Sequence, residues 1–358
     1  MQNSQDNRPV LTIAIPTYNR DLYLERLLKN VLPQIIEINS PEYKVELLVS
    51  DNASIDFTPE IIKNFQVKYG FIRYNRNKIN LGPDGNFLTC VNLAKGKFTL
   101  LIGDDDVFVT DGLKSIIKAV EMNLSMSIIM INGYRSASPE ARSSSIEPLI
   151  ITNPSQFTCF TDKDDFLRTI TIRAITFMSC IIYNSDCLKL IQKLEEGVGS
   201  HFIQTFWLLK TLSISPYSAV FPFPWISQGS AEPTLSSEID PNIKSAGQYS
   251  ELGTLIVHLK FYSEYLPKIC REYKYKFFTS KIVYSKYLLW VSLSMLYDKV
   301  IKNSTDIISR PIIFKYTKKN TLAWIIMYPI MILPFPIVRF IKPLLTKLFN
   351  STQKSGIR

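Results

Sequence analysis

Between Val10 and Asn132, short apolar runs and amphipathic segments take turns along the chain. The runs VLTIAI (10–15), KVELLVS (44–50), FIRYN (71–75), KFTLLIG (97–103) and MSIIMIN (126–132) have the length and composition of buried strands. The segments between them have helical spacing. YLERLLKNVLPQI (23–35) puts Leu24, Leu27, Leu28 and Val31 on one face. FTPEIIKNFQVK (57–68) starts with Thr58 as a cap and Pro59 at the first helical position. DGNFLTCVNLAKG (84–96) and DGLKSIIKAVEMN (111–123) complete the set. Strands this apolar, alternating with helices, predict an α/β fold with a mainly parallel sheet covered on both faces. Ligands on such a sheet bind beyond the carboxyl ends of its strands.

The polar chemistry follows the strands. The first is followed by PTYNR, the second by DNAS, and the fourth by Gly103 and three consecutive carboxylates, Asp104, Asp105 and Asp106. Adjacent like charges repel, and folding does not ask for them. A bound cation explains them: magnesium and manganese take oxygen ligands, commonly one or two carboxylates completed by water and substrate phosphate. An EF-hand fails because its fifth and sixth positions would be Phe108 and Val109. A solvated acidic turn is the alternative. A carboxylate such as Asp51 at a strand end suits hydrogen bonding to a base, while an Asx turn or helix cap is the more ordinary reading of Asp51 and Asn52 alone. Gly82 and Gly85 permit close backbone approach, with Asn86 at a helix start.

Taken together, IPTYNR (15–20), SDNASIDFT (50–58), NLGPDGNF (80–87) and AKGKFTLLIGDDD (94–106) resemble the glycosyltransferases of family 2 over roughly residues 9–120. Within that family they look most like bacterial O-antigen sugar transferases of the abequosyltransferase type. The resemblance implies a GT-A (Rossmann-like) fold and a nucleoside-diphosphate sugar donor, and no nucleic-acid partner. It places Pro16, Thr17 and Tyr18 against the nucleotide and Arg20 near its phosphates. It further places Asp51 at the base, Asn52 among the donor-binding residues, Gly82 and Asn86 against the nucleoside, and Asp104 at the ribose. Asp105 or Asp106 would hold Mn2+ or Mg2+; the family's Asp-x-Asp-Asp pattern has Gly103 at its first position here, so the principal ligand is open. Relatives take their base from a later acidic motif. The matching region, EEGVGSHFIQTFW (195–207), offers His201 or Glu196. QTFWL (204–208) lacks the arginine of the processive QxxRW pattern, which implies single addition. FMSC (177–180) with Tyr183 resembles the acceptor side. The implied acceptor is a lipid-linked (polyprenyl diphosphate) oligosaccharide.

The rest of the chain reads less regularly. Residues 133–170 look like loop with short elements; 174–183 reads as a strand followed by a helix, and SHFIQTFWLLKTLSI (200–214) as another helix. FPFPWISQGSAEPTLSS (221–237) reads as a Pro- and Gly-punctuated loop. A boundary is expected near 240, with a catalytic domain over 1–240 and a basic, mostly helical, membrane-associating region over 241–358. From Arg271 to Arg358 there are 16 basic residues against 3 acids. Within it, residues 320–338 carry no charge but contain Pro329, Pro334 and Pro336, and basic residues flank them. That pattern fits a segment lying on an anionic membrane surface, with a buried hairpin or a spanning helix as alternatives. The five cysteines form no CxxC pair and the N-terminus is polar, so the expected location is cytoplasmic, attached peripherally to the inner face of the plasma membrane. Two other classes compete. A nucleotidyltransferase would carry a Gly-rich loop after the first strand, and a non-catalytic sugar-binding protein would not need three adjacent acids.

Overall fold

The structure is a computed structural model that describes residues 7–39, 44–135, 156–170, 174–229 and 260–276. The chain divides into two compact units, Met1–Glu232 and Pro233–Arg358. In the second, the described residues form a π-helical turn, Phe261–Tyr265, continued by a helix, Leu266–Glu272. The charge-free segment 320–338 lies outside the described residues.

The first unit is built on β1 (Leu11–Thr17), β2 (Val45–Asp51), β3 (Arg73–Arg76) and β4 (Phe98–Leu101). These four run parallel in the order β3–β2–β1–β4. Every residue of β1 and β2 is buried, as expected of strands covered on both faces. On one face lie α1 (Asp21–Ile38), α2 (Thr58–Lys68) and α4 (Gly112–Glu121), which touch one another through α1; α3 (Gly82–Leu93) packs on β1 and β2 and meets α7 (Ile203–Ile214). The apolar stripe of α1 is the anticipated one, extended by Leu32 and Ile35, and the helix continues through Pro33.

Beyond β4 the sheet turns mixed. A short strand, β8 (Ile181–Asn184), enters antiparallel between β4 and β6 (Ile128–Arg135). Strand structure in this region is confined to those four residues: 178–180 form a 3-10 turn, and a five-residue helix, α6 (Ser185–Lys189), follows. The stretch expected as loop from Phe221 is instead the second half of β9 (Ser218–Gln228), parallel to β6. Its prolines fit because no edge partner needs their missing N–H. β7 (Thr158–Phe160) pairs only Ser218–Val220, and β5 (Val107–Phe108) pairs only Ile226 and Ser227. Toward β6 the register shifts at Asn132, whose side chain donates to Pro222 O at 2.9 Å. The cap of α2 also differs from expectation. Phe57 occupies the cap position and Asp56 Oδ1 accepts the Thr58 N–H at 3.1 Å, while Thr58 itself is buried within the first turn.

The amino-terminal ends of the parallel strands are tied by one buried carboxylate. Glu46 on β2 accepts from Thr12 Oγ1 of β1 at 2.5 Å, from the Lys95 N–H before β4 at 2.8 Å, and from the Arg73 guanidinium of β3. Removing it leaves the buried Thr12 hydroxyl and the Lys95 N–H without this acceptor, and Arg73 with Leu93 O in place of a charge partner. Glu46→Ala is expected to lower the free energy of unfolding by about 3 kcal/mol, less than a fully buried pair because Arg73 is partly solvated. Urea denaturation measures this, with Glu46→Gln falling in between.

Candidate active site

The carboxyl ends of β1, β2 and β4 converge where the sequence clusters its polar residues. Thr17 and Asp51 are in register at the ends of β1 and β2, and Ile102 extends β4 by donating to Ala14 O at 3.0 Å. Pro16 and Thr17 are buried in β1, while Tyr18 and Arg20 beyond it are half-buried. Asp104, Asp105 and Asp106 follow in a tight turn closed by Asp106 N–H to Gly103 O at 3.0 Å.

The three carboxylates have different surroundings. Asp104 is buried; it accepts from Thr17 Oγ1 at 2.8 Å and pairs with Arg20 at 2.9 Å. Asp106 is also buried. It accepts from the Ser179 hydroxyl and, at 3.0 Å, from the Gly229 N–H. Burial pushes both carboxyls upward; for Asp104 the Arg20 charge opposes this, and for Asp106 the neighbouring Asp105 charge adds to it. Asp105 is the most open, with 19% of its side chain exposed against 4% for Asp104. Its Oδ2 takes the other arm of Arg20 at 3.0 Å, and its Oδ1 has no hydrogen-bond partner among the described residues. One guanidinium thus spans two of the three acids. Burial works against its charge, and Asp104 and Asp105 more than reverse that, raising the Arg20 pKa.

Several residues that sequence reading did not single out shape this turn. Arg26 donates to Asp105 O at 2.5 Å, and its guanidinium and that of Arg20 both lie over the Tyr23 ring. Ser179 takes the Gly103 N–H at 3.0 Å while donating to Asp106. A side chain at Gly229 would place its Cβ 1.8 Å from Asp105 O, and one at Gly103 would come within 2.9 Å of Asp105 Oδ1. Gly103 therefore takes the pattern's first position because the acidic turn folds back over it. Gly229 lies 123 residues from Asp106 in sequence, so no local signal marks it.

A second cluster joins the ends of β1 and β2 to the start of α3. Asn52 donates to Asn80 Oδ1 at 2.7 Å and Gly82 O at 3.1 Å, and accepts from Asn77 and the Leu81 N–H. Asn86 accepts from Ser50 Oγ at 2.7 Å and donates to Ser50 O at 2.9 Å. It sits one turn inside α3 rather than at the helix start, because the helix begins at Gly82. Asp51 is fully buried; its carboxylate accepts from Tyr74 Oη and the Ser54 N–H, both at 2.8 Å, and pairs with Arg76 at 3.3 Å.

The two base candidates lie in a turn-rich stretch before α7. Glu196 is paired with Lys210, a nearly buried lysine that also donates to Gln192 O and Lys193 O. His201 is half-buried, adopts a left-handed backbone (φ 63°), and donates its N–H to Asp84 Oδ2 at 2.7 Å. That conformation costs about 1–2 kcal/mol for a residue with a Cβ and persists only where surrounding bonds enforce it. Of the acceptor-side residues, Ser179 turns onto Asp106. Tyr183 is fully buried and donates to Gln204 O at 2.8 Å, so it lines no open surface.

Residues 12–187 match the family model of glycosyl transferase family 2. Abequosyltransferase RfbV of Salmonella typhimurium is 43% identical over 105 residues, 29% of this chain and 30% of its own. A Campylobacter jejuni GalNAc(5)-diNAcBac-PP-undecaprenol beta-1,3-glucosyltransferase is 30% identical over 112 residues, 31% of this chain and 34% of its own. The chain therefore covers about a third of each relative. A mannosyltransferase of Pyrobaculum calidifontis, solved with GDP-Man and Mn2+, superposes with a TM-score of 0.51 at 14% identity, covering 94% of this chain and 87% of that one. It shares the fold, a GT-A-type mixed α/β sheet flanked by helices.

The Gly229 contact predicts a specific weakness. Gly229→Ala must push β9 off the Asp105 peptide, at a cost of about 1–3 kcal/mol. Calorimetry is expected to show a melting temperature lower by several degrees, whereas Gly70→Ala, where a Cβ meets nothing, leaves it in place.

Proposed function

We propose that this chain, whose residues 12–187 are a family 2 glycosyltransferase domain, is a divalent-cation-dependent glycosyltransferase acting on a nucleoside-diphosphate sugar. The sugar is of the deoxyhexose class, in line with the name of the abequosyltransferase relative. It passes, one unit per acceptor, to a lipid-linked saccharide in surface-polysaccharide (O-antigen) synthesis; the printed acceptor of the Campylobacter relative is of that kind. The observation that carries the reading is the Arg20 bridge between Asp104 and Asp105 at the ends of β1 and β4.

Breaking a sugar–phosphate bond builds negative charge on the leaving diphosphate. A divalent cation supplies Lewis-acid neutralisation of that charge. Among the described residues no three His, Cys, Asp or Glu side chains converge on a metal site. The cation would take its remaining ligands from phosphate oxygens and water. Asp105, the open carboxylate with an uncommitted oxygen, is the principal ligand, and Asp106, held by Ser179 and Gly229, stands behind it. Arg20 keeps Asp104 and Asp105 in place and adds positive charge beside the phosphates. Thr17 and Pro16 floor the nucleotide, with Tyr18 next to them. The base end falls to Asp51 with the Tyr74 and Arg76 bonded to it, and Asn52 and Asn86 set Gly82 and its loop against the nucleoside.

The acceptor hydroxyl needs a base opposite the leaving group. Glu196 is committed to Lys210, so His201 takes the role. The basic region and segment 320–338 keep the site within reach of the cytoplasmic leaflet. Among the described residues no helix is long and apolar enough to cross a membrane.

Three measurements test this. Manganese-dependent hydrolysis of UDP-, GDP-, CDP- or dTDP-linked hexoses is expected for one nucleotide class, abolished by chelation and by Asp105→Ala; metal-dependent turnover surviving in that variant would overturn the ligand assignment. Arg20→Ala is expected to lower turnover by about 10²- to 10³-fold, read from steady-state rates. The full chain is expected to sediment with vesicles containing anionic lipid and to be released as salt rises; equal binding to neutral vesicles would rule out the electrostatic attachment.

A further inference from the structure

We infer that Asp84 is a positioning residue that fixes the turn carrying His201 against the first turn of α3. Its link to catalysis rests on the function proposed above.

Asp84 lies in the first turn of α3, where an acidic side chain ordinarily serves its own helix by reaching back to the cap. Here its bonds go elsewhere. Oδ2 accepts the His201 N–H at 2.7 Å and Oδ1 the Ile203 N–H at 3.3 Å, with a further backbone bond from Gly199. Those donors are over 110 residues away in sequence and lead into α7, whose first amides have no partner within the helix. The carboxylate is only 2% exposed. Burial raises its pKa, and the three backbone donors oppose that rise. A buried carboxylate collecting amide hydrogens from one distant turn is a structural clamp. The segment it clamps contains His201 in a left-handed backbone between Gly199 and α7.

The same helical turn is held from the other side. Asn52, at the end of β2, donates to Gly82 O two residues before Asp84. A path therefore runs from Asn52 through its hydrogen bond to Gly82 O, along the first turn of α3, and through Asp84 to the His201 N–H. In the proposed reaction this path joins the donor loop to the base. Asp84 touches no reacting atom; it sets where the His201 backbone sits. Displacing a reacting group by about 1 Å costs on the order of 10²-fold in rate.

The test compares the full-length chain with Asp84→Ala and Asp84→Asn. Asparagine keeps one acceptor oxygen and guards against a loss that is merely unfolding. Amide exchange across 199–203 is expected to rise in Asp84→Ala and to rise less in Asp84→Asn. With the nucleotide-linked hexose that wild type hydrolyses, kcat is expected to fall by about 10²-fold in Asp84→Ala, with Asp84→Asn between. The affinity for the matching nucleoside diphosphate is expected to stay within about twofold of wild type, well under the ~1.4 kcal/mol of a tenfold change. Unchanged exchange in Asp84→Ala overturns the clamp. Raised exchange with wild-type kcat, or equal losses of kcat and nucleotide affinity, overturns the positioning role. If wild type hydrolyses none of the sugars, the proposed function fails, while exchange still reports whether Asp84 holds His201.

Discussion

One guanidinium holds the site together. Arg20 reaches Asp104 with one arm and Asp105 with the other, turning two of three repelling charges into a compensated cluster. Without that bridge, the three carboxylates would have Arg26 and hydrogen bonds to offset their repulsion, and Asp104 and Asp105 would lose their ion-pair partner. In the function proposed above, the open Asp105 at this cluster would receive a cation and the diphosphate that a cation brings.

The fold supplies rigid supports for this cluster. Four parallel strands, tied at their amino ends through Glu46, deliver Thr17, Asp51 and the acidic turn to one edge. The mixed half of the sheet closes over them. Gly229, the residue after β9, passes its N–H to Asp106, and the segment before β8 contributes Ser179. The polar loop 77–81 is fixed by asparagine side chains rather than by regular structure. A loop held this way is preorganised without being packed.

Much of this was legible in sequence because it is local. Buried parallel strands announce themselves as short apolar runs, and the acids follow them directly. α1 was readable because its apolar spacing is intrinsic to the helix. What escaped reading is set by distant partners. β9 looks like a loop because Pro222 and Pro224 are strand breakers in isolation; they are tolerated only where β7 and β5 leave a gap. Gly229 reads as one more loop glycine until the Asp105 peptide is seen beneath it. Asp84 reads as a helix-start acid, and its bonds to His201 and Ile203 cross more than a hundred residues. The roles of Asp105 and Asp106 could not be separated by adjacency. Burial distinguishes their surroundings: Asp105 is partly open, with one oxygen that has no hydrogen-bond partner among the described residues, and Asp106 is enclosed by Ser179 and Gly229.

The proposed site is therefore half a coordination sphere fixed by protein, with the other half arriving as substrate. Electron paramagnetic resonance of Mn2+ tests that division directly. Mn2+ is expected to bind the wild-type chain weakly alone and much more tightly with a nucleoside diphosphate present, and the tight signal is expected to vanish in Asp105→Ala. Tight Mn2+ binding without nucleotide, or a nucleotide-dependent signal unchanged in Asp105→Ala, would contradict it.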